Sequence, residues 1–235
     1  MWKAVGVPSA SHIAHGGLAF AQPMSEAAVD AAIAAMPLPE NALVLDTGCG
    51  NGATLLRTLR AHPGARGLGV DLDPDAIAEA RQGAAGLPAQ FEVRDAAAVE
   101  GRFEAVINVG SSHAHGGFPA ALAALRRLAP VALYGEGFWR RSPSDAFLEA
   151  LGGATADELS DLEGLRAAAA HAGFAVVHEA VAGDEDWRRY EETLAANAER
   201  HGSPETLAYA RRIRERRALP GGTDTLGFAL LLLSA

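Results

Sequence analysis

Three aspartates are the residues in this sequence whose spacing most directly suggests chemistry. Asp46 follows the apolar run at residues 42–45 and directly precedes the glycine-rich segment TGCGNG. Asp71 ends a second apolar run 25 residues later, close to the roughly 20 residues at which nucleotide-binding units place a carboxylate on ribose hydroxyls. Asp95 follows a third, alternating run at residues 90–93. Because ligands collect beyond the carboxyl ends of parallel strands, we expect the three carboxylates to serve one site.

The glycine-rich segment lies between a predicted strand and a predicted helix at residues 53–59. Glycine permits positive φ and a close approach of the backbone to a ligand. A tight turn with nothing bound is one interpretation, and a dinucleotide site is another, since Gly48, Gly50 and Ala53 satisfy the G-x-G-x-x-G/A fingerprint. Asp46 argues against a pyrophosphate, which it would repel, and favours a ligand that carries an ammonium group.

S-adenosylmethionine suits all three aspartates. Its ammonium suits Asp46, its ribose suits Asp71, and its adenine amine can donate to Asp95. The segments VLDTGCGNG and GVDLDP, the Asp95 turn and EAVINVGSSHAHG also resemble the successive motifs of the class I S-adenosylmethionine-dependent methyltransferases, over residues 40–135. GEGFWRR, the DW and YEE segments within residues 186–192 and the closing TLGF resemble a bacterial small-molecule branch of that family.

That resemblance implies a cofactor, a fold and a set of cofactor-binding residues. The cofactor is S-adenosyl-L-methionine. The fold is α/β, a Rossmann-like seven-stranded and mostly parallel sheet with helices on both faces and the last strand antiparallel beside the fifth. Asp46 and the glycines would hold the methionine part, Asp71 the ribose hydroxyls and Asp95 the adenine, with Leu72 and Ala96 flanking the ring. The full predicted cofactor-binding set comprises Asp46, Gly48, Cys49, Gly50, Gly52, Asp71, Leu72, Asp95, Ala96, Asn108 and Gly110.

Hydrophobic periodicity predicts the elements that must position these residues. Strands are predicted at residues 42–45, 66–71, 90–93, 103–109, 131–134, 174–181 and 225–233. Helices are predicted within residues 9–36, where Ser25 is an N-cap, at 53–59, from 74, at 119–128, at 162–172, and over 184–217 with a break at 202–204. We expect a single methyltransferase domain over 1–235, with an amino-terminal helical lid (1–40), a nucleotide-binding core (41–182), a helical insertion or cap (183–222) and a final strand (223–235).

Residues that could act on a methyl acceptor follow the fourth and fifth strands. Methyl transfer is an in-line displacement at a sulfonium carbon, so a protein helps mainly by holding the nucleophile close and aligned. His113 is the first choice for a general base and His115 the second, because imidazole titrates near neutral pH. Glu136 could pair with a substrate amine or orient a histidine. The predicted substrate-binding set comprises His12, His15, Ser111, Ser112, Trp139, Trp187 and Tyr190.

The four histidines in these two sets could in principle hold a metal ion. No carboxylate or thiolate completes a ligand pattern beside them in the sequence, so we expect no metal.

Composition limits the classes of partner. The net charge of −9 argues against general affinity for nucleic acid, whose binders need a positive field. The five arginines between residues 211 and 217 are expected to form a solvated helix face. The single cysteine suits a reducing compartment, the amino-terminal residues lack an apolar stretch of signal-sequence length, and the apolar run at 228–233 is too short to span a bilayer. We therefore predict a cytoplasmic protein with a small-molecule substrate and no membrane or nucleic-acid partner, and we predict no particular oligomeric state.

The predicted function is transfer of a methyl group from S-adenosylmethionine to an oxygen or nitrogen of a small molecule. Three alternatives stay open at this point. The first is another reaction that consumes the same cofactor, such as attack by its own amino group. The second is an NAD(P)-dependent oxidoreductase, and the third is a cofactor-binding protein without catalysis.

Overall fold

A computed structural model describes residues 9–235 of the chain, and the first eight residues of the predicted lid lie outside that range. Seven strands form one sheet: β1 Leu43–Thr47, β2 Arg66–Asp71, β3 Ala89–Val93, β4 Ala105–Val109, β5 Val131–Trp139, β6 Ala175–Val181 and β7 Leu226–Ser234. Their order is β3-β2-β1-β4-β5-β7-β6. The first five strands pair in parallel, and β7 runs antiparallel to both of its neighbours, β5 and β6. The predicted fold, including the last strand antiparallel beside the fifth, is confirmed.

Helices connect and cover the strands: α1 Ala10–Ala14, α2 Glu26–Ala34, α3 Ala53–Ala61, α4 Pro74–Gly83, α5 Phe118–Leu128, α6 Asp145–Ala150, α7 Leu162–His171, α8 Asp184–His201 and α9 Pro204–Ala218. The predicted N-cap of α2 is present, since the Ser25 hydroxyl accepts a hydrogen bond from Ala28 N at 3.2 Å. The helix α6 is absent from the predicted set. None of the helices within residues 9–235 combines the length and apolar character needed to cross a membrane.

The sheet is buried on both faces. Consecutive residues of a strand point to opposite sides, so Val44 packs into a cluster with helices α2 to α4, and Leu45 packs into a second cluster with α5 and α7. Ile107 and Val106 of β4 divide between the same two clusters. Because both faces are covered, the edge formed by the carboxyl ends of the parallel strands is left to build a site.

Strand β5 runs through Trp139, five residues beyond the predicted end at Tyr134. All of β5 pairs with β7, from Val131 opposite Ser234 to Trp139 opposite Leu226. The predicted end of β5 was wrong because a glycine normally weakens a strand pattern. Gly135 lies within the strand here because its neighbours leave no room for a side chain. A Cβ at this position would lie 2.6 Å from a methyl group of Val109.

Helices α8 and α9 form a cap that reaches the carboxyl edge through α1. Ala14 of α1 packs with Leu194 and Ala198 of α8 and with Ile213 of α9. On its other side, α1 approaches α4, where His12 Nε2 lies 3.2 Å from Glu79 Oε1. The short helix α1 therefore lies between the cap and the core.

Candidate active site

A cavity of about 780 Å³ lies at the carboxyl edge of the sheet. The loops after β1, β2, β4 and β5 form its floor, and α1, the segment after α1 and α8 contribute its roof. Sixteen residues proposed from the sequence line this cavity: Asp46, Gly48, Cys49, Gly50, Asp71, Leu72, Ala96, Gly110, Ser111, His113, Glu136, His12, His15, Trp139, Trp187 and Tyr190. The structure thus gathers most of the predicted cofactor and acceptor residues around one space.

Two predicted cofactor residues serve packing outside the cavity. Gly52 is the N-cap of α3 with φ +75°, and a Cβ there would lie 2.6 Å from the Phe91 ring. Asn108 is fully buried, and its amide donates to Thr47 Oγ1 at 3.0 Å. Neither Gly52 nor Asn108 lines the cavity.

Asp95, Ser112 and His115 also fail to line the cavity. The Asp95 carboxylate accepts a hydrogen bond from Ala97 N at 2.9 Å and caps a 3₁₀ turn, while the flanking Ala96 does line the cavity. Ser112 and His115 belong to a second 3₁₀ turn, in which His113 and not His115 faces the cavity. Burial lowers the pKa of His115, and its buried Nε2 has no hydrogen-bond partner among residues 9–235.

The glycine loop holds the Asp71 carboxylate in place. Gly50 N donates to Asp71 Oδ2 at 2.8 Å, and Asp73 N donates to Oδ1 at 2.9 Å. Gly50 adopts φ +52°, which only glycine takes at little steric cost, and this conformation turns its N–H toward the carboxylate. Two backbone donors keep Asp71 oriented, with lone pairs left to accept hydrogen bonds from a ligand that carries vicinal hydroxyls.

Asp46 is a buried carboxyl group with 3% of its surface exposed. Burial, with a further contribution from the charge of Asp71, raises the pKa of Asp46 to about 8. Within residues 9–235, no lysine, arginine or histidine forms an ion pair with it. A ligand ammonium would supply the missing partner, so this end of the cavity fits the amino-acid part of S-adenosylmethionine.

The acceptor side contains a carboxylate held by two donors. The Tyr134 hydroxyl donates to Glu136 Oε2 at 2.8 Å, and Gly137 N donates to Oε1 at 3.1 Å. Both side chains are buried, and burial raises the pKa of Tyr134 so that it stays a donor. Sequence reasoning missed Tyr134, although its spacing of two from Glu136 along a strand places both on one face.

The roof contributes a histidine whose proton position follows from its partners. His15 Nδ1 lies 2.7 Å from the Ser11 carbonyl oxygen, which can only accept. Burial lowers the pKa of His15, so the neutral ring carries its proton on Nδ1. His15 Nε2 is then an acceptor for the Tyr190 hydroxyl at 2.7 Å, and the Ala21 carbonyl oxygen, 3.2 Å from the same hydroxyl, is the more distant competing acceptor. The Trp187 ring meets Tyr190 edge to face, with centroids 6.2 Å apart.

Sequence reasoning also missed Gln22, which lines the cavity and is 7% exposed. Its amide nitrogen has no hydrogen-bond partner among the described residues. Gln22 lies outside regular secondary structure, so no periodic pattern marks it. Across residues 9–235, no group of three or more His, Cys, Asp or Glu side chains is arranged to hold a metal ion.

Comparison with known proteins connects this geometry to a family. Residues 44–132 match a family model described as a methyltransferase domain. The uncharacterized protein YjhP of Escherichia coli (strain K12) is 31% identical over 158 residues, which are 63% of this chain and 63% of YjhP. The sequence match thus spans less than two thirds of YjhP, and the matches to other curated relatives cover under a quarter of those proteins.

Two of the solved structures that match nearly the whole chain are complexes with S-adenosyl-L-homocysteine. The S-adenosylmethionine-dependent methyltransferase from Thiobacillus denitrificans, in complex with S-adenosyl-L-homocysteine, is 27% identical with a TM-score of 0.83, over 97% of this chain and 99% of that one. The S-adenosylmethionine-dependent methyltransferase from Geobacter sulfurreducens, also in complex with S-adenosyl-L-homocysteine, has a TM-score of 0.85 at 24% identity, over 98% of this chain and 99% of that one. The latter likeness concerns the fold alone.

Proposed function

Because the chain belongs to the class I S-adenosylmethionine-dependent methyltransferases, we propose that it transfers a methyl group to an oxygen or nitrogen of a small molecule. This proposal rests on one observation, a single cavity whose two halves are lined by different kinds of side chain. One half has the buried carboxyl group of Asp46 and the half-buried one of Asp71 beside the glycine loop, and the other has His113 and Glu136 among aromatic side chains. The bound cofactor supplies an electrophilic methyl group on a sulfonium.

In the cofactor half, we propose that each aspartate binds one part of the cofactor. Asp46 accepts from the ammonium and is thereby held as a carboxylate, and Asp71 accepts from the ribose hydroxyls. Gly50 N keeps Asp71 oriented. Leu72, which is 68% exposed, and Ala96 line the cavity where the adenine ring would pack, and the neighbouring Asp95, although outside the lining, would accept from the adenine amine at the rim.

In the acceptor half, we propose that Glu136 and His113 position the nucleophile. Glu136 is held as an acceptor by Tyr134 and Gly137, so it can bind a hydroxyl or amine proton of the substrate. His113 lines the same cavity and is exposed to solvent, so it can take that proton and pass it to water. Holding the nucleophile in line with the methyl group supplies most of the rate enhancement.

We further propose that the chain works as one domain whose lid and cap close this cavity. The described part of the lid, residues 9–40, and the cap, residues 183–222, already contribute His12, His15, Trp187 and Tyr190 to the lining. These groups exclude water from the acceptor and contact its body.

The test is incubation with methyl-deuterated S-adenosylmethionine and a panel of phenols, amines and carboxylates, followed by mass spectrometry. We expect a deuteromethyl product from one class, and we expect less of it in Asp71→Ala when the cofactor concentration is limiting. Incubation with the cofactor alone distinguishes methyl transfer from attack by the cofactor's own amino group, because only the latter reaction would consume the cofactor without an acceptor. Cofactor binding with no product in either experiment would contradict methyl transfer.

A further inference from the structure

A second compartment of about 310 Å³ adjoins the main cavity on the side of the cap. Leu151, Trp187, Tyr190 and Leu226 line both spaces, so these four residues form a neck between them. Beyond the neck, the ionisable side chains that line the compartment include Glu191, Arg212 and Arg216. We call this space the arginine compartment.

The arginine compartment has an excess of positive charge. Glu191 is 5% exposed and pairs with two arginines: Arg216, which is 8% exposed, and Arg217, whose Nη1 lies 2.6 Å from Glu191 Oε2. Two guanidinium groups thus share one carboxylate below the surface. The exposed Arg212 adds a further positive charge to the lining. A solvated helix face was expected here, and that prediction was wrong for Arg216 because α9 turns it toward α8.

Two donors on residues that line the arginine compartment lack partners, and the same two residues also line a separate space of about 200 Å³ that contains Asp184 and Asp224. Arg216 Nε and Trp187 Nε1 are buried and have no hydrogen-bond acceptor among residues 9–235. The Arg216 guanidinium lies over the Phe147 ring, 5.8 Å from its centroid, which provides no oxygen acceptor. Buried donors are nearly always satisfied in native proteins, so both nitrogens call for an oxygen-bearing ligand or water.

We propose that the methyl acceptor carries a terminal anionic group, which passes the aromatic neck and binds Arg216 in the arginine compartment. This inference rests on the proposed function and deepens it. The acceptor is then an elongated molecule with three parts. A nucleophilic oxygen or nitrogen lies near His113 and Glu136, an apolar or aromatic body lies against the paired rings of Trp187 and Tyr190, and a carboxylate or phosphate lies beyond them. Arginine binds both kinds of oxyanion through paired donors.

Calorimetry with three probes tests the charge preference without any methyl transfer. The probes are 3-phenylpropanoate, its neutral amide and 2-phenylethyl phosphate, each added to the intact protein saturated with S-adenosylhomocysteine. We expect the acid to bind about 10- to 100-fold more tightly than the amide, the effect of a hydrogen bond to a charged group. The acid-to-phosphate ratio identifies which oxyanion the compartment prefers. Equal binding of acid and amide, or no binding of either, would overturn the inference.

Substitutions in α8 and α9 show which residue causes the preference for the acid over the amide. Arg216→Gln should abolish the acid-over-amide preference, whereas Arg214→Gln, which removes an exposed arginine of the same helix paired with Glu199, should preserve it. Glu191→Gln should strengthen acid binding, because it frees both guanidinium groups. That variant also keeps the test decisive if Arg216→Gln does not fold, since unchanged acid binding in Glu191→Gln would contradict the inference.

Two further outcomes separate this inference from its rivals. If Arg216→Gln weakens S-adenosylhomocysteine as much as it weakens the acid, Arg216 binds the cofactor carboxylate and the inference is wrong. If the acid preference holds but no acid in the panel is methylated, the arginine compartment stands as an anion site and the proposed methyl transfer is the part that fails.

Discussion

Asp46 should release a proton when S-adenosylhomocysteine binds. Its carboxyl group is buried, and its pKa of about 8 means that about nine-tenths of the molecules carry the proton at pH 7. Pairing with the ligand ammonium requires the ionised carboxylate. Binding at pH 7 therefore displaces a proton that the free protein holds.

The size of this release follows from the two titrating groups. Asp46 gives up about 0.9 proton at pH 7, and the ligand amino group, which lies beside a carboxylate as in a free amino acid, is already protonated at that pH. The net release is about 0.9 proton per ligand. The affinity should consequently rise by up to about tenfold per pH unit between pH 6 and pH 8 and level off above the pKa of Asp46.

Isothermal titration calorimetry at pH 7 in buffers of different ionisation enthalpy measures the proton count directly. The plot of observed enthalpy against buffer ionisation enthalpy has a slope equal to the protons released. Asp46→Asn is the matched variant, because it keeps the shape of the side chain and removes its titration. We expect a slope near 0.9 for the wild type, and in the variant, which has no titrating group at this position, we expect no proton release. Equal slopes in the two proteins would refute the role given to Asp46.

The same pKa determines how the stability of the ligand-free protein varies with pH. The folded pKa lies above the unfolded value of about 3.9, so the folded state binds more protons between pH 4 and pH 8. Asp46 therefore makes its full contribution to the free energy of unfolding only below pH 4. As the pH rises from 4 to 8, that contribution falls by up to about 1.4 kcal/mol per pH unit. Asp46→Asn should lack this loss and be more stable than the wild type at pH 8. Urea unfolding at pH 5 and pH 8 measures the difference, and identical pH dependence in the two proteins would contradict it.

Three further substitutions test the site and its packing. Asp71→Ala should weaken S-adenosylhomocysteine binding by about 1.5–3 kcal/mol, the value of hydrogen bonds to a charged group, and unchanged affinity by calorimetry would remove Asp71 from the site. Gly52→Ala should lower the free energy of unfolding by about 1–3 kcal/mol in urea, because its Cβ meets an aromatic ring. Gly17→Ala is its control, with the same φ of +75° and open space around it, and an equal loss there would exclude packing as the cause. Tyr134→Phe should cost about 1–3 kcal/mol of stability by leaving Glu136 short of a donor, and an unchanged urea midpoint would contradict that pairing.

Much of the fold follows from short-range pattern in the chain. Apolar runs that end in Asp46 and Asp71 become β1 and β2, and the glycines between β1 and α3 become the turn that contacts Asp71. These features depend on neighbouring residues, so a single sequence contains the information for them. The break near Gly202 between α8 and α9 is local in the same sense.

The errors occur where a contact joins distant parts of the chain. β5 is longer than predicted because β7, nearly a hundred residues later, pairs along its whole length. Asn108 turns away from the cavity because Thr47 on the neighbouring strand accepts its amide hydrogen bonds. Such partners are fixed by strand order, which the local pattern around Asn108 does not encode.

By itself, the sequence determined the fold class and the cofactor, because the periodicity of its strands and helices and the aspartates and glycines at its strand ends resemble those of a known family. The tertiary structure decided which side chains share the cavity. It joined Tyr134 to Glu136, placed His113 inside and His115 outside, and buried Arg216 against Glu191. Each of these outcomes depends on burial and on pairing between elements, which arise only when the sheet, the lid and the cap come together.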